Sequence, residues 1–286
     1  MSVNVTTSFV EQYSANVQML SQQMGSKLRG AVDVESIKGK NSFFEQIGKV
    51  TAQLRTSRHG TTPQIDTPHS RRRLNTATYE WADLIDDADK IRMLIDPTSS
   101  YAKAAAAAMG RAMDSVIIAA ALGSSDTGVS GGTSVALPSS QKIVHGSAGL
   151  TVAKLLSAKK ILDENDVDPS IKRYCVVSPE QIEDLLNLTE VKSSDFNTVK
   201  ALAQGDINSF LGFEFITSNL LTQDATPNRQ VIAFAADGIK LGIGKDITAK
   251  ISERDDKSYS TQVYYCMDLG ATRMEEEKIV EIACQE

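Results

Sequence analysis

Three histidines and three cysteines are the chain's main reserve of reactive or metal-ligating side chains, and neither set forms a recognisable site. His59 and His69 flank one polar stretch and His145 stands apart; no cysteine or carboxylate lies beside them at metal-ligand spacing, so solvated loop histidines are expected. Cys175, Cys266 and Cys284 are widely separated and form no CxxC, which favours buried free thiols over a disulfide framework or a metal centre. GIGKD at 242–246 has the lysine of a phosphate loop, but its glycine spacing is wrong and Asp246 stands where a magnesium-binding hydroxyl is needed. Gly238, Gly242 and Gly244 likewise miss the dinucleotide fingerprint and read as turn glycines. Asp255 and Asp256 could pair for acid–base work, yet Arg254 and Lys257 beside them mark a solvated turn. Arg71, Arg72 and Arg73 could touch phosphate, but no interleaved aromatics are present to stack bases. These residues supply no catalytic constellation, no metal set and no cofactor motif. An enzyme is disfavoured.

The bulk properties agree with a non-catalytic, folded chain. Its 286 residues suffice for one large core or two modest ones. Hydrophobic residues make up 41% and charged residues 23%, an ordinary soluble composition that argues against global disorder. A net charge of −6 opposes generic tight binding to duplex nucleic acid, which needs a surplus of cations along one face. The opening MSVNVTTSFVEQYSANV lacks a basic n-region and an apolar h-region, so the chain is expected to be made and kept in a cytoplasm.

The elements that would position any site are organised around DPTSSYAKAAAAAMGRAMDSVIIAAALG at 96–123. Asp96 suits the cap, Pro97 the first helical position and Gly123 the stop, with an alanine-rich interior between them. Some 25 residues at 1.5 Å each give a rod roughly 38 Å long. Lys103, Arg111 and Asp114 fall on one narrow polar stripe, opposite Ala105, Met109, Ala112, Val116 and Ala120. These three charges leave no uninterrupted run of about 18 apolar residues, so a soluble spine is expected in place of a membrane span.

The rest of the chain is arranged around that spine. Residues 1 to about 40 read as an arm, with Phe9, Tyr13, Val17 and Leu20 at helical spacing over 9–24. The region 43–84 reads as a long hairpin. Gly48, Val50, Ala52 and Leu54 alternate with polar residues as in a strand, and the return limb 74–84 carries Thr76, Thr78, Tyr79 and Trp81. Between the limbs lies a stretch with Arg55, Arg58, Arg71, Arg72 and Arg73 and almost nothing apolar except Ile65. A loop of that length without its own core is expected to be functional or disordered. Just after it stand Asp83, Asp86, Asp87 and Asp89, so one copy's basic tip is expected to meet another's acidic base; a solvated flexible loop is the alternative. The Gly- and Ser-rich stretch 124–149 reads as a boundary with a weak hairpin. A compact α/β unit follows, with a helix capped by Thr151, a buried strand at 171–177, a capping box at Ser178-Pro179-Glu180-Gln181 and strands at 213–217 and 231–235. From 247 onward the pattern is mostly strand, free to return along the spine.

This order of pieces, together with the hairpin, the spine, the segment KRYCVVSPEQIEDLL and the block from VIAFAADGIKLGIGKD to the end, resembles the major capsid proteins of tailed bacteriophages, the Hong Kong 97-type fold also found in encapsulin shells. The resemblance implies an α+β fold with an N-terminal arm at 1–39 and an extended loop at 40–84. It further implies a peripheral domain at 85–149 completed by return strands at 247–286, with an axial domain inserted at 150–246. It implies a virion protein that assembles with itself into hexamers and pentamers of an icosahedral head around double-stranded DNA. By the same resemblance it would be made in a bacterial cytoplasm with a separate scaffolding protein and a portal, would lie near DNA without specific binding, and would need no cofactor and no membrane. Arg55, Arg58, Arg71, Arg72 and Arg73 would be inter-subunit contacts and Asp83, Asp86, Asp87 and Asp89 their partners. An encapsulin-like compartment and a nucleic-acid-binding module built on the arginines are the alternatives.

Overall fold

The computed structural model describes residues 22–85, 98–188, 209–224 and 228–286. The expected arm helix at 9–24 lies almost wholly outside these residues, as do Asp96 and Pro97. The chain forms β1 (Asp33–Ser36), β2 (Asn41–Ile47), β3 (His69–Asn75), β4 (Ala77–Ile85), α1 (Thr98–Leu122), β5 (Ser125–Thr127), β6 (Thr133–Val135), β7 (Lys142–Ile143), α2 (Val152–Glu164) and β8 (Arg173–Val177). It continues with α3 (Pro179–Asn187), β9 (Ser209–Phe210), β10 (Phe213–Thr217), β11 (Asn228–Ala235), β12 (Ile239–Arg254), β13 (Ser260–Arg273) and β14 (Ile279–Gln285).

Three sheets result, ordered β1-β12-β13-β4, β7-β14-β11-β8-β10-β9 and β2-β3-β5-β6. Met109, Met113, Ile117 and Ile118 of α1 share one continuous core with Leu241, Met267 and Leu269 of the first sheet and Val231, Phe234 and Ile282 of the second. The spine therefore holds the two larger sheets together. By length and composition alone the window Tyr101–Leu122 is apolar enough to cross a membrane, despite its charges, but half of it is buried in its own chain.

The three charges of the polar stripe on α1 differ in burial. Lys103 is exposed and Arg111 half-buried, whereas Asp114 is completely buried. The segment at 22–28 crosses the helix there. Asp114 accepts hydrogen bonds from the backbone N–H groups of Lys27 and Leu28 and from the side chains of Ser26 and Gln23. Arg111 donates to Gln22 Oε1 and to the carbonyl of Gln23. A Cβ on Gly110 would lie 2.3 Å from the Gly25 carbonyl carbon, so only glycine permits this crossing. Helical periodicity assigns a polar residue to a face but does not say whether that face meets water or backbone.

The compact unit follows its local signals closely. Thr151 accepts from the Lys154 N–H to open α2. The Ser178 N–H donates to Gln181 Oε1 at 2.7 Å at the start of α3, while the Ser178 hydroxyl turns to Glu286. Arg229 grips the Glu286 carboxylate through two nitrogens, with Gln181 and Gln223 adding bonds.

Two expectations are corrected. The strand-like alternation at 48–55 forms no strand; β2 ends at Ile47 and the backbone is irregular until β3 begins at His69. Side chains there have no partner strand to sort them into two faces. The return strands also divide. β12 and β13 lie along the spine, but β14 pairs antiparallel with β11 inside the six-stranded sheet. Its residues Ile279, Val280 and Ile282 are all buried, the composition of a strand covered on both faces.

Candidate subunit interface

The hairpin that carries the arginines is built from β2 and β3, paired from Asn41 with Asn75 to Ile47 with His69. β4 does not belong to it; β4 instead runs antiparallel to β13. The hairpin base rests on the first sheet through a small separate core of Ile37, Phe44 and Leu74, with Met274 packed against it. Gly242 and Gly270 face each other across β12 and β13 at this spot. A Cβ on Gly270 would meet the Asn75 carbonyl oxygen at 2.1 Å, and one on Gly242 would meet Ile37 and Leu74 at 2.8 to 3.0 Å. Gly242 is therefore a packing glycine inside a strand, as is Gly244 by position, and neither is the turn residue that sequence suggests.

The five arginines separate into two kinds. Arg71, Arg72 and Arg73 are not in the loop but in β3, and alternation sends Arg72 to the opposite face from its neighbours. Arg72 is buried. Its Nη2 meets Glu276 Oε2 at 2.5 Å and its Nε donates to the Met274 carbonyl at 2.9 Å, both on the turn between β13 and β14. Arg273 lies next to that turn with no exposed surface. It donates to the carbonyls of Ala121 and Gly123 at the end of α1 and to Val135 of β6. A guanidinium on the last carbonyls of a helix satisfies orphan acceptors and complements the dipole. Burial pushes the Arg273 pKa down, with the nearby Glu276 carboxylate opposing it. Hairpin, spine and first sheet thus meet at one buried polar junction, on the turn that leads into β14.

Arg71 and Arg73 lie on the other, half-exposed face. Arg71 reaches Glu45 at 3.2 Å and stacks over the Phe43 ring at 5.6 Å. Arg73 packs its stem on Gly131 in the β5–β6 turn. Arg55 and Arg58 sit in the exposed excursion 48–68, where Arg55 donates only to the nearby Ser57 carbonyl. Apolar side chains are exposed beside them, Leu54 at 89% and Val50 at 53%. Lys49 makes an exposed ion pair with Asp166 just beyond α2, the one described side-chain tie from this excursion to the body of the chain. Asp83 is exposed on β4 and accepts from the Leu84 N–H. Asp86, Asp87 and Asp89 lie outside the described residues.

Glu276 and Arg273 are the residues that sequence reasoning misses. Glu276 is one of three successive glutamates and is separated from Arg72 by 204 positions. No local pattern distinguishes it from its neighbours; only correlated substitution with Arg72 would have done so. Among the described residues no group of three or more His, Cys, Asp and Glu side chains is placed to hold a metal ion.

Comparison with known proteins gives this arrangement its context. A model of the family described as phage capsid protein matches residues 5–286, while no curated protein sequence matches the chain. Among solved structures, the capsid of cyanophage P-SCSP1u aligns with a TM-score of 0.77 at 18% identity, covering 100% of this chain and 96% of the other. A structure of Mycobacterium phage Che8 aligns with a TM-score of 0.74 at 18% identity over 96% and 97% of the two chains. The capsid of a native GTA particle aligns at 0.72 with 10% identity over the full length of both. These likenesses show the mixed helix-and-sheet architecture of Hong Kong 97-type capsids. The chain belongs to the phage capsid protein family.

Proposed function

We propose that this chain is the major capsid subunit of a phage head, built into hexamers and pentamers of a closed icosahedral shell around double-stranded DNA. Assembly would draw on a separate scaffolding protein and a portal and would take place in a bacterial cytoplasm. The role is structural. Beyond membership of the family, one observation supports the reading: the excursion 48–68 leaves Leu54, Val50 and Ile65 exposed on backbone that forms no strand. Such a segment gains little from its own chain and gains most by lying on another surface.

In this reading residues 85–149 together with β12 and β13 form the peripheral body, and residues 150–238 the axial unit, to which β14 adds a strand. The excursion acts as a clamp on an adjacent copy. Arg55 and Arg58 are its cationic contacts, with Arg71 and Arg73 near its base, and the acidic group Asp83, Asp86, Asp87 and Asp89 on a neighbour is the surface they meet. Arg72 has a different duty, since its charge is already matched by Glu276 of the same chain.

Electron microscopy of the protein expressed alone and with a candidate scaffold tests this. Closed shells or capsomer rings are expected, enclosing DNA when isolated from infected cells. Shells filled with protein cargo would point to a compartment in place of a phage head. A monodisperse small monomer under both conditions would overturn the reading.

A further inference from the structure

Strand β4 forms one edge of the sheet β1-β12-β13-β4. It is 9 residues long, and among the described residues it pairs with β13 alone, so its outer side presents a row of backbone N–H and C=O groups. Neither Pro nor Lys interrupts that edge. The Leu84 N–H donates to the Asp83 carboxylate at 2.9 Å, so a side chain of the same strand serves where a neighbouring strand's carbonyl would. By the two-residue repeat of a strand, the N–H groups of Ala82 and Glu80 turn the same way. Tyr79 and Trp81 pack toward the main core, whereas Thr78, Glu80, Ala82 and Leu84 are exposed on the opposite face.

The complementary half lies in the excursion. Gly48, Val50, Ala52 and Leu54 alternate with Lys49, Thr51, Gln53 and Arg55, the two-faced pattern of a strand, yet this segment pairs with no strand among the described residues. Its own β4 is out of reach. The Gly48 N–H donates to the Pro68 carbonyl beyond the far end of the β2–β3 ladder, seven residue pairs from the base where Thr76 leads into β4. β13 runs along β4 and then on past Asn75 to Arg72, so the hairpin and β4 extend in opposite directions from Thr76. The hairpin is about 23 Å long, and residues 48–55 folded back along it would only regain the start of β4.

We propose that residues 48–55 of a second copy add to the free edge of β4 as a fifth strand of that sheet. The proposal rests on the reading that the chain assembles with itself, and it names the backbone contact beneath the clamp. Val50, Ala52 and Leu54 then lie on the side of Tyr79 and Trp81, and Lys49, Thr51, Gln53 and Arg55 on the side of Glu80. In either strand direction Lys49 or Arg55 comes next to Glu80, and opposite charges on neighbouring strands stabilise the pair. Glu80 and Asp83 also repel the β4 edge of another copy, so the edge accepts a basic strand and rejects its own kind. A contact of tip with edge is head-to-tail, and repeated around an axis it closes into a ring.

The test uses assembled particles of the full chain. Hydrogen exchange read by mass spectrometry on the unmutated protein compares free subunits with particles. Peptides covering 49–55 and 78–84 are both expected to slow by roughly tenfold or more on assembly, because a strand ladder protects its amides. In a Cys266→Ser background, Ala82→Cys combined with Thr51→Cys, or with Gln53→Cys for the adjacent register, should oxidise to a ladder of linked chains that stops at closed rings. Neither substitution alone should do so. Particles whose 78–84 amides exchange as in the free subunit would overturn the proposal while leaving the shell reading in place. Protection of 78–84 without a link from position 51 or 53 would put another segment on the edge and overturn it equally. Failure to form particles under any condition would remove the shell reading itself, and the proposal with it. Since exchange is read on the unmutated chain, the outcome does not depend on any variant folding.

Discussion

The two ends of the β2–β3 hairpin carry the same residue type in opposite circumstances. At the base, Arg72 is buried against Glu276 and the Met274 carbonyl, and the glycine pair Gly242–Gly270 lets the hairpin sit directly on the first sheet. Beyond Ile47, Arg55 and Arg58 project from exposed, irregular backbone with few ties to the body. The base belongs to the fold of the single chain; the excursion has the character of a segment whose stabilising surface lies elsewhere. Arginine count and spacing do not separate these roles. Burial and partner do.

The comparison breaks first at Arg72. Arg72→Ala should destabilise the isolated chain by about 3 kcal/mol, because it strands the Glu276 carboxylate in a buried site. Chemical denaturation measures this; a loss below about 0.5 kcal/mol would mean the base is no more pinned than the tip. A triple exchange of Arg71, Arg72 and Arg73 to glutamate would therefore strike folding as well as assembly and could not isolate an interface.

Asp114→Ala comes next, at about 2 kcal/mol, since it leaves the Lys27 and Leu28 N–H groups without their acceptor. Hydrogen exchange should rise at 26–28 before anywhere else in the described arm. Uniformly increased exchange across α1 would show that the carboxylate supports the spine itself.

A pH experiment sharpens the contrast at another pinned site. The Arg229 guanidinium holds the Glu286 pKa down to about 2, from an ordinary value of 4.5. The folded value is the lower one, so this stabilisation is present in full above about 4.5 and is lost as pH falls toward about 2. Glu286→Gln should lower stability at pH 7 and converge with the parent chain across that acid window. Parallel curves throughout would remove the carboxylate from the ledger.

The smallest stability effect belongs to the tip. Arg55→Glu with Arg58→Glu should change the folding free energy by no more than about 0.5 kcal/mol, as exposed substitutions usually do. The same pair should nonetheless reduce the yield of closed particles seen by electron microscopy. Normal particles from this variant would take both arginines out of the contact.

Where a feature was legible in advance, its cause was local. Alanine content marks α1, Thr151 caps α2, the serine–glutamine spacing opens α3, and the Asp255-Asp256-Lys257 turn joins β12 to β13. Where reading failed, the deciding contact was distant. Gly242 reads as a turn glycine until Leu74 is placed over it, Asp114 as one charge of a polar stripe until 22–28 crosses the helix, and β14 as a spine strand until it enters the other sheet.

By itself the sequence determined the kind and order of the elements, because helix caps, alternation and turn chemistry act over a few residues. The tertiary structure alone decided which arginine is buried, which glycines are contact points and which sheet receives β14. Those outcomes depend on pairs as far apart as Arg72 and Glu276, and short-range patterns carry no information about which distant group will fill a given position.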